Sequence, residues 1–145
     1  LKYGDEYIVK PNYKADDKGI PYQHAPGNIG DINITSDTTN WLVEVTLIRN
    51  KTQQLNSETA NCIRHLLQSD SENNYLSFVA PTVCPDTEEF YRNSVIGMII
   101  RDEENCYIKA YNINDFVDTT QKRINMTDMQ SYKENIVTQM RKKFA

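Results

Sequence analysis

The sequence predicts an α/β domain in which a mixed central β-sheet is flanked by α-helices. Three observations carry this. Short β-branched, apolar runs alternate with longer stretches whose apolar residues recur at helical spacing. Two early runs, 31–35 and 41–48, are joined by a short polar turn, so an antiparallel hairpin precedes the helical crossovers. The length of 145 residues, 39% of them hydrophobic, supplies one core and one domain.

The elements follow in order. Tyr7-Ile8-Val9-Lys10 is a short strand closed by Pro11, which lacks a ladder donor and so favours an edge or an end. Residues 12–30 collect Pro21, Pro26, Gly19, Gly27 and Gly30, a density of turn formers that excludes a helix and predicts an ordered surface loop. Residues 31–35 alternate polar and apolar, whereas Trp41 to Ile48 are mostly apolar and β-branched, which makes 41–48 the central, buried strand. Over 53–68, Leu55, Cys62, Ile63, Leu66 and Leu67 form the apolar stripe of an amphipathic helix.

Residues 75–80 read as a second buried strand stopped by Pro81. Asp86-Thr87-Glu88-Glu89 then places acids in a first helical turn, and the helix leads toward Val95. A later strand covers 106–111, and Asn114-Asp115-Phe116 opens a further helix. The last helix, 128–144, ends in Arg141-Lys142-Lys143, cations suited to the negative end of the helix dipole.

Composition excludes several classes. A net charge of −4 and a pI near 5.2 rule out a general cationic coat for nucleic acid or membrane. No apolar run approaches the roughly 18–20 residues of a membrane-spanning helix, and the start has no signal-peptide core. Three cysteines without a Cys-x-x-Cys pair write neither a disulfide framework nor a zinc ribbon, which points to the reducing cytoplasm.

Three acids stand out by position: Asp31 at the start of one strand, Glu44 inside the next, and Glu58 on the following helix. Glu44 is the anomaly, because an unpaired carboxylate inside a hydrophobic strand is costly. Pairing the hairpin strands brings Asp31 and Glu44 to one end of the sheet. Two carboxylates, with the backbone carbonyl of Val45 as a further oxygen, suit magnesium, which also takes waters and substrate phosphate oxygens. In the competing reading Asp31 caps a turn, Glu44 pairs with a basic residue and Glu58 is solvated. His65 lies seven residues beyond Glu58, two turns along one side of the helix, and Cys62 beside it admits a thiol hydrolase as a distant alternative.

An Asp followed across a hairpin by Glu-x-Lys resembles the signature of the PD-(D/E)xK nucleases. This chain departs from that pattern at Gly30, where the motif has proline, and at Thr46, where it has lysine. The wider series is more specific: His24-Ala25-Pro26-Gly27-Asn28-Ile29-Gly30-Asp31, Glu44-Val45-Thr46, Glu58, Arg64-His65, and the strand end Phe78-Val79-Ala80-Pro81. It resembles the catalytic domain of the AlwI-type type IIS restriction endonucleases, including the BstNBI-like enzymes that nick one strand. The likeness runs over roughly residues 7–120.

The resemblance implies a restriction-endonuclease-like fold and magnesium, with manganese as substitute, held by Asp31 and Glu44, beside which the Val45 carbonyl read above is the further metal oxygen. It links Glu58 and His65 to the active site. With threonine in place of the motif lysine, His65 or one of Gln53, Lys51 and Arg64 orients water or the scissile phosphate. His24 and Arg64 are the candidate DNA contacts. The implied partners are duplex DNA and a recognition domain or second nuclease subunit, with no membrane. Because the chain starts at Leu1, close to the first strand, residues 1–145 are expected to be one nuclease domain truncated at its N terminus, with recognition elsewhere. A non-catalytic DNA-binding or assembly subunit of the same fold is the alternative.

Overall fold

In the computed structural model, which describes residues 7–12, 14–15, 21–23, 31–49, 63, 66–67 and 70–144, a five-stranded mixed sheet organises the chain. Its strands are β1 (Ile8–Pro11), β4 (Ile32–Thr35), β5 (Thr39–Val45), β6 (Asn73–Ala80) and β7 (Cys106–Asn112), in the spatial order β1-β4-β5-β6-β7. The first two pairings are antiparallel, and β5-β6 and β6-β7 are parallel. Parallel neighbours need crossovers, and the one between β6 and β7 is α1 (Pro85–Ile100). Two short strands, β2 (Lys14–Ala15) and β3 (Pro21–Gln23), pair inside the segment expected to be a loop. After β7 come α2 (Ile113–Gln121) and α3 (Asn125–Phe144).

The sheet is covered on both faces, so its central strands are mostly apolar, with Glu44 in β5 and Ser77 in β6 among the exceptions. Along β6, Leu76, Phe78 and Ala80 enter one core cluster with Leu42, Leu66, Tyr91, Val95, Met98 and Ile136. Tyr75 and Val79 enter the other with Ile34, Trp41, Val43, Tyr111 and Met129. The described helical residues of the stretch 53–68 are Ile63, Leu66 and Leu67, and Leu66 is fully buried in the first cluster.

The two clusters are joined around the β7 edge by α3, which contributes Met129 to one and Ile136 to the other. Between those residues, Lys133 is buried and donates from Nζ to the carbonyls of Glu103, Glu104 and Cys106 at 2.9, 3.1 and 2.8 Å. These bonds tie α3 to the α1–β7 turn and occupy the end of an otherwise open strand.

Candidate active site at the end of the sheet

The parallel strands β5 and β6 end on the side of the sheet where β4 begins, a usual place for α/β sites because loops converge there. Ile32 pairs with Val43, and one step outward sets Asp31 opposite Glu44. Cross-strand partners project from the same face, and Leu42, two residues before Glu44, lies on the first face. Asp31 and Glu44 therefore share the face on which Ile63 and Leu66 pack. Glu44 is 7% exposed, and Asp31 is half-buried.

Asp31 is held at both ends. Its Oδ2 accepts a 2.7 Å hydrogen bond from the Val45 N–H, and its carbonyl accepts one from the Asn12 N–H at 2.9 Å. The Asn12 amide also donates to Asn33 Oδ1 at 2.9 Å, fastening β1 beside β4. The next N–H, that of Thr46, turns the other way and bonds the Val79 carbonyl at 2.9 Å. In an extended residue N–H and C=O point to the same side, so the Val45 carbonyl faces the Asp31 side of β5. Thr46 is 6% exposed, and its Oγ1 accepts the Ile48 N–H at 3.2 Å, which turns the chain out of the sheet.

Of the residues singled out by sequence, the structure thus brings together Asp31, Glu44 and Val45. Glu58, His65, Arg64 and His24, with Gln53, Lys51 and Cys62, lie outside the described residues. Among the described residues no three His, Cys, Asp or Glu side chains converge on one point. The supporting amides of Asn12 and Asn33 carry no sequence signal, since neither belongs to a motif or a periodic face. A groove lined by Asp102, Glu103, Tyr107, Lys133 and Arg141 lies by the α1–β7 turn, at the other end of the strands, and holds none of the predicted site residues.

Comparison with known families now adds to this geometry. The family model of the AlwI restriction endonucleases matches residues 4–119, most of the chain. The chain belongs to the AlwI restriction endonuclease family. A solved structure, the small subunit of the heterodimeric restriction endonuclease R.BspD6I, is similar to it over 100% of this chain and 85% of that one. The TM-score is 0.57 and the identity 19%, so the likeness is one of fold. Comparison with curated proteins finds no match.

The mouth of the β4–β5 hairpin thus presents two carboxylates and a backbone carbonyl on a rigid frame. Among the described residues neither Cys84 nor Cys106 is in a disulfide, and no helix is long and apolar enough to cross a membrane.

Proposed function

We propose that this chain is a magnesium-dependent nuclease domain of the PD-(D/E)xK kind that hydrolyses phosphodiester bonds of duplex DNA, as part of a cytoplasmic type IIS restriction or nicking enzyme. The observation that carries the reading is the Asp31–Val45 hydrogen bond, which fixes one carboxylate beside a second, buried one on the same sheet face. All three oxygen donors are hard and stand at the mouth of one hairpin, so they fit magnesium, or manganese in its place, better than a soft metal. Asp31, Glu44 and the Val45 carbonyl would hold the ion. Once bound, the ion supplies Lewis-acid stabilisation of phosphate charge and a more acidic water.

The chain's own residues then position the reactants. Water attacks phosphorus in line as the bond to the leaving oxygen breaks; Glu58 and His65 orient that water or take its proton, and Arg64 and His24 hold the DNA backbone. Sequence recognition falls to another domain, and cutting both strands needs a second nuclease subunit or a second event. Replacing Glu44 by alanine tests the assignment: plasmid cleavage in magnesium should vanish while the circular dichroism spectrum is kept. Full cleavage by that variant would refute it.

A second reading, an assembly subunit that keeps the fold without efficient chemistry, draws on Thr46. That residue stands where the motif has lysine, and its hydroxyl is engaged with the Ile48 N–H. Manganese titration separates the two. Uptake that disappears in Asp31→Ala supports the enzyme, whereas DNA association with no metal uptake supports the assembly subunit.

A further inference from the structure

We infer that Arg49 is a DNA-backbone contact of this site, its guanidinium gripping a phosphate that flanks the scissile one. The inference rests on the nuclease reading above. Beyond Val45 the chain is pinned in three places: the Thr46 N–H bonds the Val79 carbonyl, the Ile48 N–H bonds Thr46 Oγ1, and the Cys84 thiol donates to the Arg49 carbonyl at 3.7 Å. Cys84 is the N-cap residue of α1. The segment 46–49 therefore runs from the end of β6 to the start of α1, along the same end of the sheet as Asp31 and Glu44.

The backbone of Arg49 is anchored while its side chain is exposed, and among the described residues no carboxylate pairs with it. Four residues of extended chain span at most about 14 Å, so the Arg49 backbone lies within a few nucleotides' length of Val45. Its location answers an electrostatic need. Two carboxylates in a chain of net charge −4 repel an incoming phosphate backbone, and a permanently charged guanidinium on the segment leaving the same end of the sheet offers a bidentate partner for phosphate oxygens.

The test measures association of the full enzyme with fluorescent duplex DNA over a potassium chloride series, for wild type, Arg49→Gln and Arg49→Lys. Arg49→Gln should weaken binding about equally for unrelated DNA sequences and reduce the slope of log affinity against log salt by about one. Arg49→Lys should keep the wild-type slope, and manganese uptake should be the same in all three. A wild-type slope in Arg49→Gln, or no measurable DNA association by the wild type, overturns the inference. Metal-dependent cleavage with an unchanged Arg49→Gln slope leaves the nuclease reading standing without Arg49. A reduced slope in a protein that takes up no metal and cuts nothing keeps the phosphate contact and removes the nuclease reading.

Discussion

The carboxylate of Asp31 accepts a 2.7 Å hydrogen bond from the Val45 N–H across the mouth of the β4–β5 hairpin. One backbone contact thereby orients a side chain from β4 against the strand that carries Glu44. Since the Asn12 N–H also holds the Asp31 carbonyl, the residue is aimed by its own fold before any ligand arrives.

Metal-linked stability follows from that arrangement. If Asp31 and Glu44 share a cation, manganese at a hundred times its Kd should raise the unfolding free energy by about 2.7 kcal/mol. Asp31→Asn should lose that increment. Thermal melts with and without manganese check both. An equal metal-induced rise in Asp31→Asn would exclude this pair as the binding site.

Trp41, the single tryptophan, is 1% exposed, and its Nε1–H donates to Ser77 Oγ at 2.9 Å. Ser77 in turn donates to Met129 Sδ at 3.4 Å, so the chain of bonds links β5, β6 and α3. Ser77→Ala leaves a buried indole donor unsatisfied and should cost about 1–3 kcal/mol. Urea unfolding followed by Trp41 fluorescence reads the loss directly. A midpoint unchanged from wild type would mean that the indole finds another partner.

Much of this fold is legible in the sequence because the central strands are buried on both faces and therefore read as mostly apolar runs. Both β5 and β6 show that pattern, and the proline at position 11, which favours an edge or an end, stands in the edge strand β1. Boundaries were less legible. The strand expected to reach Ile48 ends at Val45, because the Thr46 hydroxyl captures the Ile48 N–H and draws the chain out of the ladder. The helix read to Val95 continues to Ile100 through a run too uniformly apolar to show a period. The β2–β3 pairing went unseen because strands of two and three residues are too short to have periodicity.

The candidate site divides along the same line. Asp31 and Glu44 could be placed together because hairpin register follows from alternation, whereas the bond to the Val45 N–H depends on where one strand stops. Arg49 belongs to none of the motifs or periodic faces of the sequence. Its anchorage to Cys84, 35 residues later in the chain, has no local signature.

Lys133 should prove a structural cation of unusual weight. Its buried ammonium holds three carbonyls of the α1–β7 turn and sits 4.9 Å from the Tyr107 ring centroid. Lys133→Met keeps the apolar stem and removes the charge-assisted bonds, two of them to carbonyls of a solvent-facing turn that water can reach. A loss of about 1–3 kcal/mol is expected, with faster amide exchange confined first to residues 101–106. Uniform exchange across the domain would show that the turn is held by other contacts.

Alkaline pH should destabilise the domain in two stages, the first set by Cys106. Burial, with the Glu103 carboxylate adding to it, raises the Cys106 thiol above its ordinary value of 9.0. An acid whose pKa is higher in the folded than in the unfolded state holds its proton longer when folded. Its contribution is therefore complete below pH 9.0 and is lost as pH rises from there through the folded value. Burial likewise raises Tyr75, Tyr107 and Tyr132 above 10.0, so their contribution declines only from pH 10.0 upward. Lys133 acts oppositely: burial lowers it from 10.5, so stability gains as pH climbs from its folded value toward 10.5. Urea midpoints measured from pH 8 to 11 should begin to fall at a lower pH in wild type than in Cys106→Val, because the Lys133 gain is common to both proteins and only the thiol differs. If both proteins begin to weaken at the same pH, Cys106 does not set the first stage.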